Sequence, residues 1–200
     1  ELISEACIGH WTPEQGLSSI TSWRARKNEA EIAGFRRAMQ HDGVAMVRFH
    51  RELDEKVANG SINQETEWSI AERLEEIRAE HPEYRGLSFA TIAGYAGNGA
   101  IVHYEATAED HATLSSKSFL LLDSGAHYVS GTTDITRTIP LGTLTDEEKK
   151  AYTLVLKGMI QLSMAHFPVG TTGLALDFAA RQSMWREGYD FGHGTGHGVG

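Results

Sequence analysis

The chain reads as an α+β fold, and three features carry that reading. Apolar residues recur at helical spacing over 32–57. Short apolar and β-branched runs punctuated by glycine follow over 86–139. Capped helical patterns return over 145–187. Helices, then strands, then helices is an order that opposes an alternating parallel sheet.

Each element has its own signal. Residues 1–23 hold no sustained period, and Pro13, Gly16 and the Ser18-Ser19 pair predict a connector. Ile32, Phe35, Met39, Met46, Leu53 and Val57 recur at spacings of three, four and seven, which predicts one apolar stripe on a long helix. Asn59-Gly60 is its stop. Ser61 with Gln64 reads as a capping box that opens a second helix, with Ile70, Leu74 and Ile77 on one face and an end near His81-Pro82. Gly94, Gly97 and Gly99 break 86–104 into strands and turns. Phe119-Leu120-Leu121-Leu122 predicts a buried strand, and the Thr and Ile content of 132–139 another. Thr145 with Glu148 caps a helix expected to run to about Phe167-Pro168. A last helix covers about 174–187 and stops at Gly188.

Two hundred residues fit one ordinary domain or a piece of something larger. Lys and Arg number 18 against 27 Asp and Glu, a net charge of −9. That balance opposes nucleic-acid binding, which needs a basic face, and a polybasic membrane anchor. No run approaches the ~18 apolar residues of a membrane-spanning helix. The single cysteine, Cys7, excludes an intrachain disulfide framework and a Cys-rich zinc site. The opening residues lack a Met and the basic and apolar regions of a signal peptide. The closing Gly198-Val199-Gly200 sits inside a glycine-rich run. Both ends are expected to be cut ends of a longer chain.

Two constellations could carry chemistry. Asp123 ends an apolar strand, and Asp134 follows 11 positions later in the next strand pattern. A turn near 128–131 would make the strands antiparallel neighbours, with both carboxylates facing one another. Two such carboxylates cannot both stay ionised without compensation, and a divalent cation compensates them. The alternative makes Asp123 a turn former before Ser124-Gly125 and Asp134 an exposed strand residue. The second constellation is Gly192-His193-Gly194-Thr195-Gly196-His197-Gly198. Alternating glycines oppose a helix. In an extended chain the two histidines stand roughly 13 Å apart and cannot share an ion. One could be a ligand and the other face a substrate. The alternative is a flexible glycine loop. His103, after Ala100-Ile101-Val102, is either a hydrogen-bonded structural residue at a strand end or a third site histidine. The remaining histidines show no partner pattern, and His-Glu-x-x-His is absent.

Four segments in order resemble the metallopeptidases of the pita-bread (creatinase/aminopeptidase) fold, most closely the aminopeptidase P, or Xaa-Pro aminopeptidase, group in its cytosolic multidomain form. They are Asn98-Gly99-Ala100-Ile101-Val102-His103-Tyr104, Leu122-Asp123-Ser124-Gly125, Gly131-Thr132-Thr133-Asp134-Ile135-Thr136-Arg137-Thr138 and His193-Gly194-Thr195-Gly196-His197-Gly198-Val199-Gly200. The likeness runs from about Trp23 to Gly200.

The resemblance implies two divalent metal ions, usually manganese, and no other cofactor. It makes Asp123 a bidentate ligand of one metal, Asp134 the bridging carboxylate and His197 the histidine ligand. His193 and His103 become non-ligand histidines lining the substrate site. Two glutamates and a further histidine of the family's metal site lie beyond His197 and outside this sequence. Residues 1–23 are then a linker or the tail of a preceding domain, and 24–200 a partial catalytic domain with an incomplete, inactive site. The implied activity of the parent is hydrolysis of an N-terminal Xaa-Pro bond by a cytoplasmic homodimer acting on peptides with proline second. The alternatives are a prolidase-type dipeptidase or a non-catalytic peptide- or protein-binding module.

Overall fold

The computed structural model describes residues 18–198. Cys7, His10, Pro13, Gly16, Val199 and Gly200 lie outside the described residues. Where the connector was expected to continue, Ser18 instead caps a short helix, α1 (Ser19–Ala25), by accepting from the Ile20 N–H at 3.3 Å.

Helix α2 (Glu29–Asn59) opens with a reciprocal cap between Asn28 and Glu31 and closes at Gly60, whose φ of 78° is left-handed. Its buried face is Gly34, Ala38, Asp42, Ala45, Met46, Phe49 and Leu53. This corrects the expected stripe in its first half, where Ile32 and Met39 are 41% and 45% exposed. Small residues face inward there because a chain reversal presses on the helix. A Cβ on Gly34 would collide with the Ser130 carbonyl, and one on Gly131 would meet Phe35 Cα at 3.3 Å.

Ser61 does not open the next helix. The Ser61 N–H is taken by Asn59 Oδ1 at 2.8 Å, and Ser61–Gln64 forms a 3-10 turn. Helix α3 (Glu67–Ala79) starts at Thr66, which exchanges capping bonds with Ser69. Ile70, Leu74 and Ile77 are buried on it as expected.

Six strands follow: β1 (Tyr84–Leu87), β2 (Ile92–Tyr95), β3 (Phe119–Ser124), β4 (Ala126–Tyr128), β5 (Gly131–Thr132) and β6 (Ile135–Pro140). They form two antiparallel sheets, ordered β1-β4-β5 and β2-β3-β6. One hairpin supplies four of the strands. Its turn lies between Tyr128 and Gly131, as expected, and its arms bend at Gly125 and at Thr133-Asp134, so the ladder divides between the sheets. A Cβ at Gly125 would strike the Thr133 carbonyl and the Ser88 hydroxyl, so only glycine lets the arms approach there. The strand expected to end at His103 is a 3-10 turn, Ala96–Ala100, and Ile101 and Val102 are exposed. Gly94 and Gly99 meet backbone to backbone beneath it, an approach that excludes a continued strand.

The core lies between α2, α3 and one face of β2-β3-β6. Phe49, Leu53, Leu74 and Ile77 meet Leu120, Leu122, Ile135 and Ile139. Strand alternation therefore turns Asp123 and Thr136, paired in register, to the opposite face. Helices α4 (Asp146–Ser163) and α5 (Gly173–Trp185) complete the described chain. Thr145 and Glu148 cap α4 reciprocally, as expected. It ends short of Phe167, because Ala165 N–H turns back to Leu162 O at 3.1 Å. The reversal at Gly188 has φ 78°. Gly158 on α4 lies against the Ala180 carbonyl of α5, with no room for a Cβ. Gly158→Ala should cost about 1–3 kcal/mol by overpacking, read as a lower midpoint in urea. An unchanged midpoint would show that the two helices separate freely.

Candidate metal centre

Asp123 is the penultimate residue of β3 and Asp134 immediately precedes β6, so both stand at one end of the β2-β3-β6 sheet. Asp123 pairs with Thr136, and its Oδ1 accepts from the Thr136 hydroxyl at 2.8 Å. Asp134 is two residues before Thr136, on the parity that faces away from the core. The expected antiparallel juxtaposition of the two strands is present.

Asp134 is held through its neighbour. Thr133 is buried, its N–H donates to Ala126 O at 2.9 Å, and its carbonyl accepts from Ser88 Oγ at 2.9 Å. Its hydroxyl accepts from the Ala126 N–H at 3.0 Å and donates to Asp42. Asp42 in turn binds the Arg78 guanidinium at 2.6 and 3.1 Å, with both side chains fully buried. A buried ion pair between α2 and α3 thus reaches the residue next to Asp134.

His197 Nε2 lies 3.5 Å from Asp134 Oδ2, with the two side chains 78% and 39% exposed. The other ring nitrogen, Nδ1, is 3.0 Å from Gly198 O. That contact places the proton on Nδ1 in the neutral ring and leaves a lone pair on Nε2 facing a carboxylate oxygen. Two acceptors face one another across a gap that fits a cation at about 2.0–2.2 Å from each. The donor chemistry therefore suits a divalent metal. Among the described residues no group of three or more His, Cys, Asp or Glu converges on a single point. Asp134 and His197 are brought together, and Asp123 stands one strand away, bound to Thr136.

His193 is exposed, with Nδ1 2.7 Å from Gly194 O and its ring 4.7 Å from that of Phe191. No hydrogen bond or ion pair joins it to Asp134 among the described residues. His103 sits in an exposed turn at φ 55°. Its segment is organised by Glu67, a fully buried carboxylate on α3. Glu67 accepts from the Tyr95 N–H at 2.6 Å, the Ala112 N–H at 2.7 Å, the Tyr104 hydroxyl at 2.7 Å and Asn98 Nδ2 at 3.1 and 3.2 Å. Burial, then the Glu67 carboxylate, pushes the Tyr104 phenol up to about 12. Of the histidines without an expected partner, His41 and His81 do meet, with ring centroids 3.9 Å apart.

The glycine-rich segment has its own anchors on α5. Arg181 Nε donates to Asp177 at 2.7 Å, Nη1 to Asp190 at 2.8 Å and Phe191 O at 2.6 Å, and Nη2 to His193 O at 2.9 Å. The Thr195 hydroxyl donates to the second oxygen of Asp177. Thr195 and then Arg181 hold the Asp177 carboxyl below the usual carboxylate range. Sequence reasoning missed Asp42, Glu67, Arg78, Asp177 and Arg181. Only the Asp177–Arg181 spacing of four on a helix left a trace, and that spacing is common on exposed helix faces.

The profile of metallopeptidase family M24 matches residues 33–200. A protein called probable Xaa-Pro aminopeptidase P from Ajellomyces capsulatus is 46% identical over 201 residues, 99% of this chain and 32% of that protein. Among solved structures, the X-prolyl aminopeptidase of Caenorhabditis elegans, described as a cytosolic enzyme with a di-nuclear active site, superposes with a TM-score of 0.85. It is 37% identical over 92% of this chain and 30% of its own. The Xaa-Pro dipeptidase of Bacillus anthracis reaches a TM-score of 0.70 at 26% identity, over 90% of this chain and 48% of its own. The chain spans about a third of the length of the curated relative it matches, 32%.

Proposed function

This chain belongs to metallopeptidase family M24 and has its pita-bread α+β fold, and we propose that the whole protein is a metal-dependent aminopeptidase that hydrolyses the bond between an N-terminal residue and proline. The observation that carries the reading is His197 Nε2 facing Asp134 Oδ2 at 3.5 Å, in a chain 46% identical to a probable Xaa-Pro aminopeptidase P. Residues 24–200 are, in this reading, part of the catalytic domain, and 1–23 a linker or the tail of a preceding one. The whole protein is proposed to be a cytoplasmic homodimer. Among the described residues no helix is long and apolar enough to cross a membrane.

Two divalent ions, manganese in this proposal, would supply Lewis acidity and lower the pKa of a water. Asp123, Asp134 and His197 are the residues of this chain that would hold them, Asp134 as the shared carboxylate. Thr136 fixes one oxygen of Asp123 and so turns the carboxylate. His193 and His103 are proposed to bind and orient the substrate carbonyl. His193 suits that task because its Nδ1 is occupied by Gly194 O and its Nε2 is left for a ligand. Proline's missing N–H and fixed φ favour selection by the shape of a pocket.

The test loads the whole protein with manganese and offers a tripeptide with proline second, its alanine-second counterpart and an Xaa-Pro dipeptide. Release of the first residue from the proline tripeptide alone supports the proposal. Cleavage of the dipeptide alone would make it a prolidase, and no cleavage at all would leave a binding module.

A further inference from the structure

We propose that Asp177 and Arg181, one turn apart on α5, are positioning residues that set where His197 meets Asp134, so that metal affinity depends on a helix pair that touches neither the metal nor the substrate. The inference rests on the reading of His197 as a ligand.

The segment that carries both histidines cannot hold itself. Gly192, Gly194 and Gly196 have open space where a Cβ would stand, so no packing fixes the backbone there. Glycine also has more conformational freedom to lose than any other residue. Order must come from polar anchors, and α5 supplies them. Arg181 is 13% exposed in its side chain and spends its planar fork in three directions. Nε goes back to Asp177, Nη1 goes to Asp190 and the Phe191 carbonyl, and Nη2 goes to the His193 carbonyl. The guanidinium also stacks over the Phe191 ring, 3.8 Å from its centroid. Asp177 then reaches past Arg181 to the Thr195 hydroxyl.

The anchored positions are therefore 190, 191, 193 and 195, and His197 begins two residues beyond the last. Its direction is inherited from that register, with Nδ1 on Gly198 O and Nε2 toward Asp134. A lysine cannot reproduce the arrangement, because an ammonium is a point charge without a rigid fork and without a face to lay on Phe191. The ordinary alternative is an i,i+4 surface ion pair, worth a few tenths of a kcal/mol to the helix and nothing to a metal. It leaves the three bonds from Arg181 to 190–193 and the bond from Thr195 without a purpose.

The experiment uses the whole protein and manganese, with affinity measured by competition against a chromophoric chelator. Arg181→Lys is expected to weaken manganese about 10- to 100-fold, the range for groups that orient a ligand. Thr195→Val, which removes only the anchor at Asp177, should move it the same way by less. With metal saturating, Thr195→Val should lower kcat while KM for a proline-second tripeptide holds, whereas Arg181→Lys, which also frees the His193 carbonyl, should move both. Histidine ring NMR of the metal-free protein should show His197 shifted by Arg181→Lys while helical circular dichroism is retained. His197→Ala runs alongside. If His197→Ala keeps wild-type affinity, the ligand reading fails. If His197→Ala loses the metal but Arg181→Lys and Thr195→Val do not, the clamp is overturned. A loss of affinity in Arg181→Lys that comes only with loss of helical signal overturns it as well.

Discussion

Arg78→Ala is expected to cost about 3–5 kcal/mol, the range for removing one partner of a buried ion pair. Both side chains of the Asp42–Arg78 pair are 0% exposed, so Asp42 would be left as an uncompensated charge inside the core. Domains of this size have about 5–15 kcal/mol in all, so the substitution endangers the fold itself. The comparison is Arg51→Ala. Arg51 also sits in an ion pair, with Glu55 at 2.9 Å, but its side chain is 81% exposed. That pair is worth about 0.2–1 kcal/mol at most. Urea unfolding of the two variants should differ accordingly. Replacing both partners together, Asp42→Leu with Arg78→Met, should recover much of the loss, because no buried charge then remains. It would not recover the bond from the Thr133 hydroxyl to Asp42. The double variant therefore separates the contribution of the pair to folding from its contribution to the residue beside Asp134. Equal midpoints for Arg78→Ala and Arg51→Ala would show that water reaches the pair.

The features that were legible in the sequence are those whose partners are close along the chain. The hairpin that aligns β3 with β6 spans few enough residues that a turn and two apolar runs declare it, and the cap of α4 is complete within Thr145–Glu148. The Asp42–Arg78 pair was not legible, because its partners are 36 positions apart on two helices. An aspartate and an arginine on helices read as solvated residues until the helices are packed. Glu67 was hidden in the same way. It looks like a first-turn acid after a capping Thr66, yet four of its donors come from 95, 98, 104 and 112. The stripe on α2 failed in its first half for a steric reason. Large apolar residues define a hydrophobic face on average, but the chain reversal at 129–131 comes close enough to demand Gly34 and Ala38. His103 was misread as a strand end because Ala100-Ile101-Val102 is apolar, although a 3-10 turn leaves Ile101 and Val102 exposed. Asp177 and Arg181 show a further limit. Their spacing is visible, but two targets of Arg181 are the Phe191 and His193 carbonyls, which have no sequence identity, and Asp177 meets a hydroxyl 18 positions away at Thr195.

Asp134→Ala in the whole protein is expected to lower manganese affinity by more than about 100-fold, and turnover with it. The bound comes from comparison, since disturbing a group that only orients a ligand already costs about 10–100-fold. Asp134 does more than orient. Its Oδ2 is the anionic atom nearest His197 Nε2 in the pair, and without it the imidazole faces the site with no charge to share the ion. In the binuclear reading the same carboxylate serves both ions, so one substitution weakens two sites, where Asp123→Ala weakens one. Thr136→Val should reproduce a small part of the Asp123 loss, about 10-fold, because it frees the oxygen that the hydroxyl holds at 2.8 Å. His193→Ala should keep its metal and lose turnover, since Nδ1 is committed to Gly194 O and no bond joins the ring to Asp134 among the described residues. Metal content after gel filtration and proline-tripeptide cleavage, measured on the four variants beside His197→Ala, give the ordering. Metal lost from His193→Ala and retained by His197→Ala would exchange the roles of the two histidines. Full metal content in Asp134→Ala would remove this end of the sheet as the metal centre.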